Sequence, residues 1–236
     1  IVDFDVHFES DNFIIINKSP GCVMHPGSGC NDGTLANGLL YKYPKLANLP
    51  RSGIVHRLDK DTSGVLLVAK NEKFRNYFIQ LMQDRKITKE YIAVVAGPTL
   101  GSFTIDYPIG RDKFNRTKMA LRSDGKDAIT NVKLNQSLGN YSVLDVSIKT
   151  GRTHQIRVHL SSKKLPIIGD KTYDPLKTIT KGSSKELIEI IRSFSRQALH
   201  ARLLSFECPD TQKKLSFEIP MPSDMKNLIS SLKKHS

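Results

Sequence analysis

The chain has 236 residues, 39% of them hydrophobic, enough to bury a sizeable core without disulfides or metals in one large domain or two small ones. Lys and Arg outnumber Asp and Glu by 36 to 23, a formal net charge of +13, so the surface field suits polyphosphates or anionic lipid. A membrane is the weaker partner: no run of about 18 apolar residues occurs, and no amphipathic stretch sets Lys and Arg opposite a wide apolar face.

Nucleic acid is the expected partner. Cys22, Cys30 and Cys208 are too few and too irregularly spaced for a disulfide framework or a paired-cysteine zinc site, which implies a reducing cytoplasm. No signal peptide is visible, and the first residue is Ile1 rather than Met, so an upstream portion is expected to be missing.

In chain order, Phe4, Val6 and Phe8 alternate with polar residues, and Phe13-Ile14-Ile15-Ile16 follows Ser10-Asp11-Asn12, which predicts a hairpin. The Gly- and Pro-rich stretch 18–33, with Ser19-Pro20-Gly21 and His25-Pro26-Gly27-Ser28-Gly29, predicts a loop of unusual backbone angles. Asp32-Gly33-Thr34 then opens a short helix with Leu35, Leu39 and Leu40 on one side. From Gly53 to Gly64 charged residues and a turn precede Val65-Leu66-Leu67-Val68-Ala69, the pattern of a polar loop at the mouth of a buried strand. Asn71 is placed to cap an amphipathic helix with Phe74, Tyr77, Phe78, Leu81 and Met82 on its core face.

A buried strand is expected at Lys89–Gly97. Residues 101–125 predict a hairpin with a long basic tip, Gly110 to Lys118, for which a solvated loop and a phosphate clamp are the competing readings; the net charge favours the clamp. Strands follow at Ala128–Leu134 and Tyr141–Lys149. Thr153 is placed to cap a helix starting at His154, with Arg157 on its first turns and able to reach a carboxylate. Ser183 and Glu186 have capping-box spacing ahead of a helix with Leu187, Ile190, Ile191 and Phe194 on one face. Arg196–Phe206 and Lys214–Ile219 read as a closing pair of strands, and Ser223-Asp224-Met225 starts a terminal helix. No repeat, low-complexity tract or linker divides the chain, so one domain over 1–236 is expected.

Asp59, flanked by His56 and Arg57, admits carboxylate catalysis, part of a metal site, or an ion pair in a turn. A metal site needs several converging oxygen ligands, and only Asp61 lies close in sequence. His154 and His159 are five apart, which is not one helix face, so hydrogen-bonded scaffold histidines are the default there.

Four ordered blocks carry a resemblance. His56-Arg57-Leu58-Asp59 with Thr62-Ser63-Gly64 resembles the signature of the RluA-type pseudouridine synthases. Lys89-Glu90-Tyr91 resembles that family's tyrosine motif, Thr150-Gly151-Arg152-Thr153-His154-Gln155-Ile156-Arg157-Val158-His159 its arginine motif, and Arg196-Gln197-Ala198-Leu199-His200-Ala201 its late leucine motif. The His25-Pro26-Gly27 loop, the Asp32-Gly33-Thr34 entry and the basic tip resemble the RluD branch, which acts on large-subunit ribosomal RNA.

The resemblance implies a mixed α/β (α+β) fold, largely antiparallel sheet with flanking helices and a central basic cleft, and an S4-like RNA-binding domain upstream of this catalytic domain. It implies Asp59 as the essential carboxylate, Arg157 as its counter-charge, Tyr91 stacked on the base and Leu199 as an apolar wall. Arg57 would fill the place of a flipped-out uridine, with His56, Arg152, His154 and Gln155 near the substrate. Arg111, Lys113, Arg116 and Lys118 would grip phosphates of a ribosomal RNA stem-loop, alone or in a pre-ribosomal particle. The isomerisation needs neither cofactor nor metal, and a monomer is expected. A non-catalytic RNA-binding or ribosome-assembly protein on the same fold is the alternative, and a metal-dependent RNA hydrolase a distant third.

Overall fold

The computed structural model describes residues 4–27 and 32–235; Ser28, Gly29 and Cys30 of the glycine-rich stretch lie outside the described residues. The chain gathers into two compact units, Ile1–Lys89 with Ala201–Pro220 and Glu90–His200 with Met221–Ser236. The residue ranges of strands β4 (Thr88–Ala96) and β10 (Leu199–Glu207) fall partly in each.

In the first unit β1 (Asp5–Glu9) and β2 (Phe13–Lys18) form the predicted hairpin, and β2 pairs antiparallel with β3 (Ser63–Ala69) in the register Phe13↔Ala69 to Lys18↔Gly64. Every residue of β3 is buried. Covered on both faces, it takes an unbroken apolar run rather than an alternating one. On its other side lies β10, which carries the antiparallel β11 (Lys214–Glu218).

Helix α1 (Leu35–Lys42) starts at Thr34, whose side chain and Asn37 form a reciprocal capping box. Helix α2 (Glu72–Gln83) starts as expected at Asn71, whose side chain accepts from the Phe74 amide at 2.8 Å. Phe74 and Phe78 lie one turn apart and meet Phe13 and Phe206: ring centroids are 4.9 Å apart for Phe13 with Phe74 and 5.3 Å for Phe78 with Phe206. This aromatic packing fixes the helix against the sheet.

In the second unit the order is β4, β9 (Tyr141–Ile148), β8 (Ile129–Leu138), β5 (Ser102–Asp106), all antiparallel neighbours. The hairpin expected within 101–125 is present but shorter: β6 (Ile109–Arg111) and β7 (Met119–Leu121) form a separate two-stranded ribbon that carries the basic tip, while β5 pairs with β8 instead. Pro108 separates β5 from the ribbon, and the carbonyl it exposes accepts from Arg122 N at 2.9 Å.

Helices α3 (Gln155–Ser162), α4 (Lys185–Ser193) and α5 (Ser223–His235) complete this unit. Two caps differ from expectation. Ser184, not Ser183, caps α4, because Ser183 Oγ is engaged with the Thr180 carbonyl at 2.8 Å. His154, not Thr153, stands at the α3 N-cap, in the left-handed region at φ 56° and with no side-chain cap bond. Among the described residues no helix is long and apolar enough to cross a membrane.

Candidate active site

The Asp59 loop is built in the first unit from the inside out. Lys18 ends β2 with only 1% of its surface exposed, and its Nζ donates to the carbonyls of Ser19 at 3.1 Å, Lys60 at 2.8 Å and Thr62 at 2.9 Å. All three ammonium protons thus find acceptors, offsetting the cost of removing the charge from water. The turn closes through Thr62 N to Asp59 O at 3.1 Å, and Gly21 N also donates to Lys60 O, at 2.9 Å. The backbone on the C-terminal side of Asp59 is therefore held by a buried cation that the sequence reading did not single out. Its sequence signal is a Lys closing the apolar run Phe13–Ile16 just before Ser19-Pro20-Gly21.

Gly64 ends the loop at φ 116°, where a Cβ would stand 2.1 Å from the Ala201 carbonyl oxygen. Only glycine permits that approach and that backbone angle. His56 anchors the other end: its Nε2 accepts from Leu67 N at 2.9 Å, so the ring is neutral at that nitrogen, and burial, helped by the Lys89 charge, pushes its pKa down to about 3. Burial likewise pushes the Lys89 amine down to about 8. Leu58 is buried, Asp59 half-buried and Arg57 exposed. His56 therefore serves the scaffold, while Arg57 faces solvent.

The second unit positions Tyr91, Arg157 and Leu199. Arg157 sits on the first turn of α3 with 6% of its surface exposed, where the helix dipole disfavours a cation. Asp170 answers it with two bonds, Nε to Oδ2 at 2.7 Å and Nη2 to Oδ1 at 2.9 Å, and the guanidinium lies 5.1 Å from the Tyr173 ring centroid. Burial would raise the Asp170 pKa, but the Arg157 hydrogen bond and charge and the amides of Tyr173 and Thr172 hold it below the usual carboxylate range. Neither Asp170 nor Tyr173 was singled out from sequence. The available signal was a carboxylate set in an apolar turn, Ile167-Ile168-Gly169-Asp170, which demands a buried cation nearby.

Backbone bonds lace these segments together: Val94 N to Ala198 O at 3.0 Å, Ala198 N to Ile168 O at 2.8 Å and Ile168 N to Val94 O at 2.9 Å. The strand of Tyr91, the segment of Leu199 and the turn of Asp170 are thus neighbours, and Tyr91 and Leu199 are buried at 8% and 4% exposure. Arg196, the first residue of the leucine motif, is clamped by Asp224 of α5 through Nε to Oδ2 at 2.7 Å and Nη2 to Oδ1 at 2.9 Å.

The remaining predicted residues divide. Gln155 is buried, its Oε1 accepting from Thr150 Oγ1 at 2.8 Å and Arg152 N at 3.0 Å, its Nε2 donating to Ile129 O at 2.9 Å and Thr130 Oγ1 at 3.0 Å. The amide ties the start of α3 to β8, which explains how the helix starts without a side-chain cap. His154 Nδ1 lies 2.8 Å from Tyr173 Oη, and Arg152 Nε donates to Asp127 O at 2.9 Å. His159 is the scaffold histidine expected, between Thr130 Oγ1 at 2.9 Å and Tyr107 O at 3.0 Å. Arg111, Lys113 and Arg116 are exposed on the ribbon tip and Lys118 is partly so. Among the described residues no group of His, Cys, Asp and Glu side chains is arranged to hold a metal ion.

Residues 12–162 match the family described as RNA pseudouridylate synthase. A ribosomal large subunit pseudouridine synthase D from Vibrio parahaemolyticus is 43% identical over 233 residues, 99% of this chain and 72% of the relative. The protein of the same name from Xanthomonas campestris is 41% identical over 235 residues, 100% of this chain and 71% of the relative. Among solved structures, human RNA pseudouridylate synthase domain containing 4 shares the fold, with a TM-score of 0.77 at 24% identity over 97% of this chain and 93% of that one. Human RNA pseudouridylate synthase domain containing 1 gives a TM-score of 0.69 at 25% identity, over 98% and 95%. Matched along most of its length and mixed, mostly antiparallel in fold, the chain belongs to the RNA pseudouridylate synthase family.

Proposed function

We propose that this chain isomerises uridine to pseudouridine in structured large-subunit ribosomal RNA, free or in a pre-ribosomal particle, as a cytoplasmic monomer. The observation that carries the reading is the match, along 99% of the chain at 43% identity, to an enzyme named for that substrate. In the reaction the bond from N1 of the base to the sugar breaks, the base turns, and C5 joins the same sugar carbon while its proton moves to nitrogen. Nothing is gained or lost overall, so the protein must supply charge, orientation and exclusion of water.

Asp59 is the essential carboxylate, either bonding to the sugar carbon or assisting proton removal beside it. Tyr91, Arg157 and Leu199 take the roles their motifs imply: stacking on the base, balancing charge and walling the ring. The base must leave its stack to be turned, at a cost of a few kcal/mol, and the exposed Arg57 is suited to fill the vacated position. Intact motif residues support catalysis over a binding-only protein.

The test is to incubate the full chain and Asp59→Asn with large-subunit ribosomal RNA fragments in EDTA and to measure pseudouridine by mass spectrometry of the digested RNA. Product with the parent chain and none with the variant is expected. RNA binding without product, or cleavage that appears only when magnesium replaces the EDTA, would overturn the reading.

A further inference from the structure

The ribbon tip carries an aromatic ring that the reaction described above does not use. Phe114 is 99% exposed, although most large apolar side chains of this chain lie in its core. An aromatic ring held in water gives up hydrophobic stabilisation, and here its place in the backbone is fixed. Asp112 Oδ1 accepts from the amides of Phe114 and Asn115, each at 2.8 Å, and Asn115 Oδ1 accepts from Thr117 N at 3.0 Å. Asp112 N donates to Lys118 O at 3.0 Å, Lys118 N to Asn115 O at 2.9 Å, and the Arg111 guanidinium to the Arg116 carbonyl. Arg122 braces the base of the ribbon from Arg111 O, at 3.0 Å.

The ring's surroundings identify its partner. Lys113 precedes it and Arg116 follows two residues on, both exposed, and between Arg111 and Lys118 no second apolar side chain accompanies it. A protein partner would need a wider apolar patch, whereas an isolated flat ring between cations matches an unstacked nucleobase and its flanking phosphates.

We infer that Phe114 is a stacking platform for an unpaired base of the RNA substrate, with Lys113 and Arg116 holding the phosphates on either side. The inference rests on the RNA reading above and adds a residue by which the enzyme prefers looped over fully paired RNA. Stacking is sequence-tolerant, so Phe114 selects for an unpaired base rather than for a particular one.

The chain contains no tryptophan, so Phe114→Trp introduces a single indole whose emission reports on the tip. The full chain, Phe114→Ala and Phe114→Trp are titrated with a hairpin RNA carrying an unpaired loop and with a fully paired duplex. Thermal denaturation checks that the variants stay folded, as the exposure of residue 114 leads one to expect. Phe114→Ala should raise Kd for the hairpin by about 5- to 150-fold with the salt dependence unchanged, and leave duplex binding nearly as it was. Phe114→Trp should restore affinity, its emission quenched by the hairpin and not by the duplex. Hairpin affinity unaltered in Phe114→Ala, or indole emission indifferent to the hairpin, overturns the inference. Pseudouridine is measured in the same mixtures: product from the parent chain beside unaltered Phe114→Ala binding removes the stack alone. The expected binding changes with no product from the parent chain remove the isomerase reading and leave the stack.

Discussion

The Arg157 guanidinium and the Asp170 carboxylate meet in a two-point ion pair in which neither side chain is more than 6% exposed. The same Asp170 carboxylate closes its own turn by accepting from the amides of Thr172 and Tyr173. One carboxylate therefore sets both the rotamer of the motif arginine and the path of the chain leading to Tyr173, which in turn accepts a bond from Met119 N at 2.9 Å.

Replacing Asp170 by Asn removes the charge from beside a buried guanidinium while keeping the size. Stability measured by urea denaturation is expected to fall by about 3–5 kcal/mol. Because the folded-state pKa is depressed, the pair's contribution is present above the unfolded value near 4 and is lost as pH falls through the folded value. The parent and Asp170→Asn stabilities should therefore converge in strong acid.

His56 acts in the same direction, over a higher pH window. Its folded pKa of about 3 lies below the unfolded value near 6.5, so between these limits the unfolded chain takes up a proton that the folded chain refuses. Stability should fall as pH drops from about 6.5 towards 3, by up to about 1.4 kcal/mol per pH unit from this group. It should be independent of His56 above that window. The difference in pH dependence between the parent and His56→Gln, read by urea denaturation, isolates the contribution.

Lys18→Met strips the carbonyls of Ser19, Lys60 and Thr62 of their shared donor. A loss of about 2 kcal/mol of stability is expected. Under the proposed function, kcat at saturating RNA should fall while RNA affinity is kept, since the loop carrying Asp59 is loosened and the phosphate grip is untouched. A change in affinity with kcat intact would contradict this.

On the ribbon tip, four phosphate contacts would give a slope of log affinity against log salt of roughly −3 to −4. Lys113→Ala should reduce its magnitude by about one. Arg111→Ala with Lys113→Ala should weaken RNA binding more than it slows a single-turnover reaction at saturating enzyme, and it should also loosen the tip, because Arg111 donates to the Arg116 carbonyl. Unchanged affinity in the double variant ends the clamp reading.

The elements legible in the sequence were those whose signal is local. Asn71 and Thr34 announce their helices because a cap acts within four residues, and Val65–Ala69 reads as a buried strand because a strand covered on both faces is apolar throughout. Caps shifted where a hydroxyl had a competing partner: Ser183 is drawn to Thr180, which leaves the cap to Ser184. The basic-tipped hairpin was legible but its extent was not, because the pairing of β5 with β8 joins residues 23 to 31 apart, beyond what a local pattern records. The side chains that hold the motif residues in place were not legible. Lys18 and Asp170 act through contacts spanning 44 and 13 residues, and nothing next to either in sequence marks the partner.

The cation beneath the Asp59 loop is sealed from water, whereas the cations of the ribbon tip stand in it. Counterions reach the second set and not the first, so dissolved salt acts on this protein selectively. Raising ionic strength should slow capture of RNA while leaving the loop's geometry, and the rate once RNA is bound, as they were. Ionic strength thus becomes a dial that separates encounter from chemistry without altering a residue.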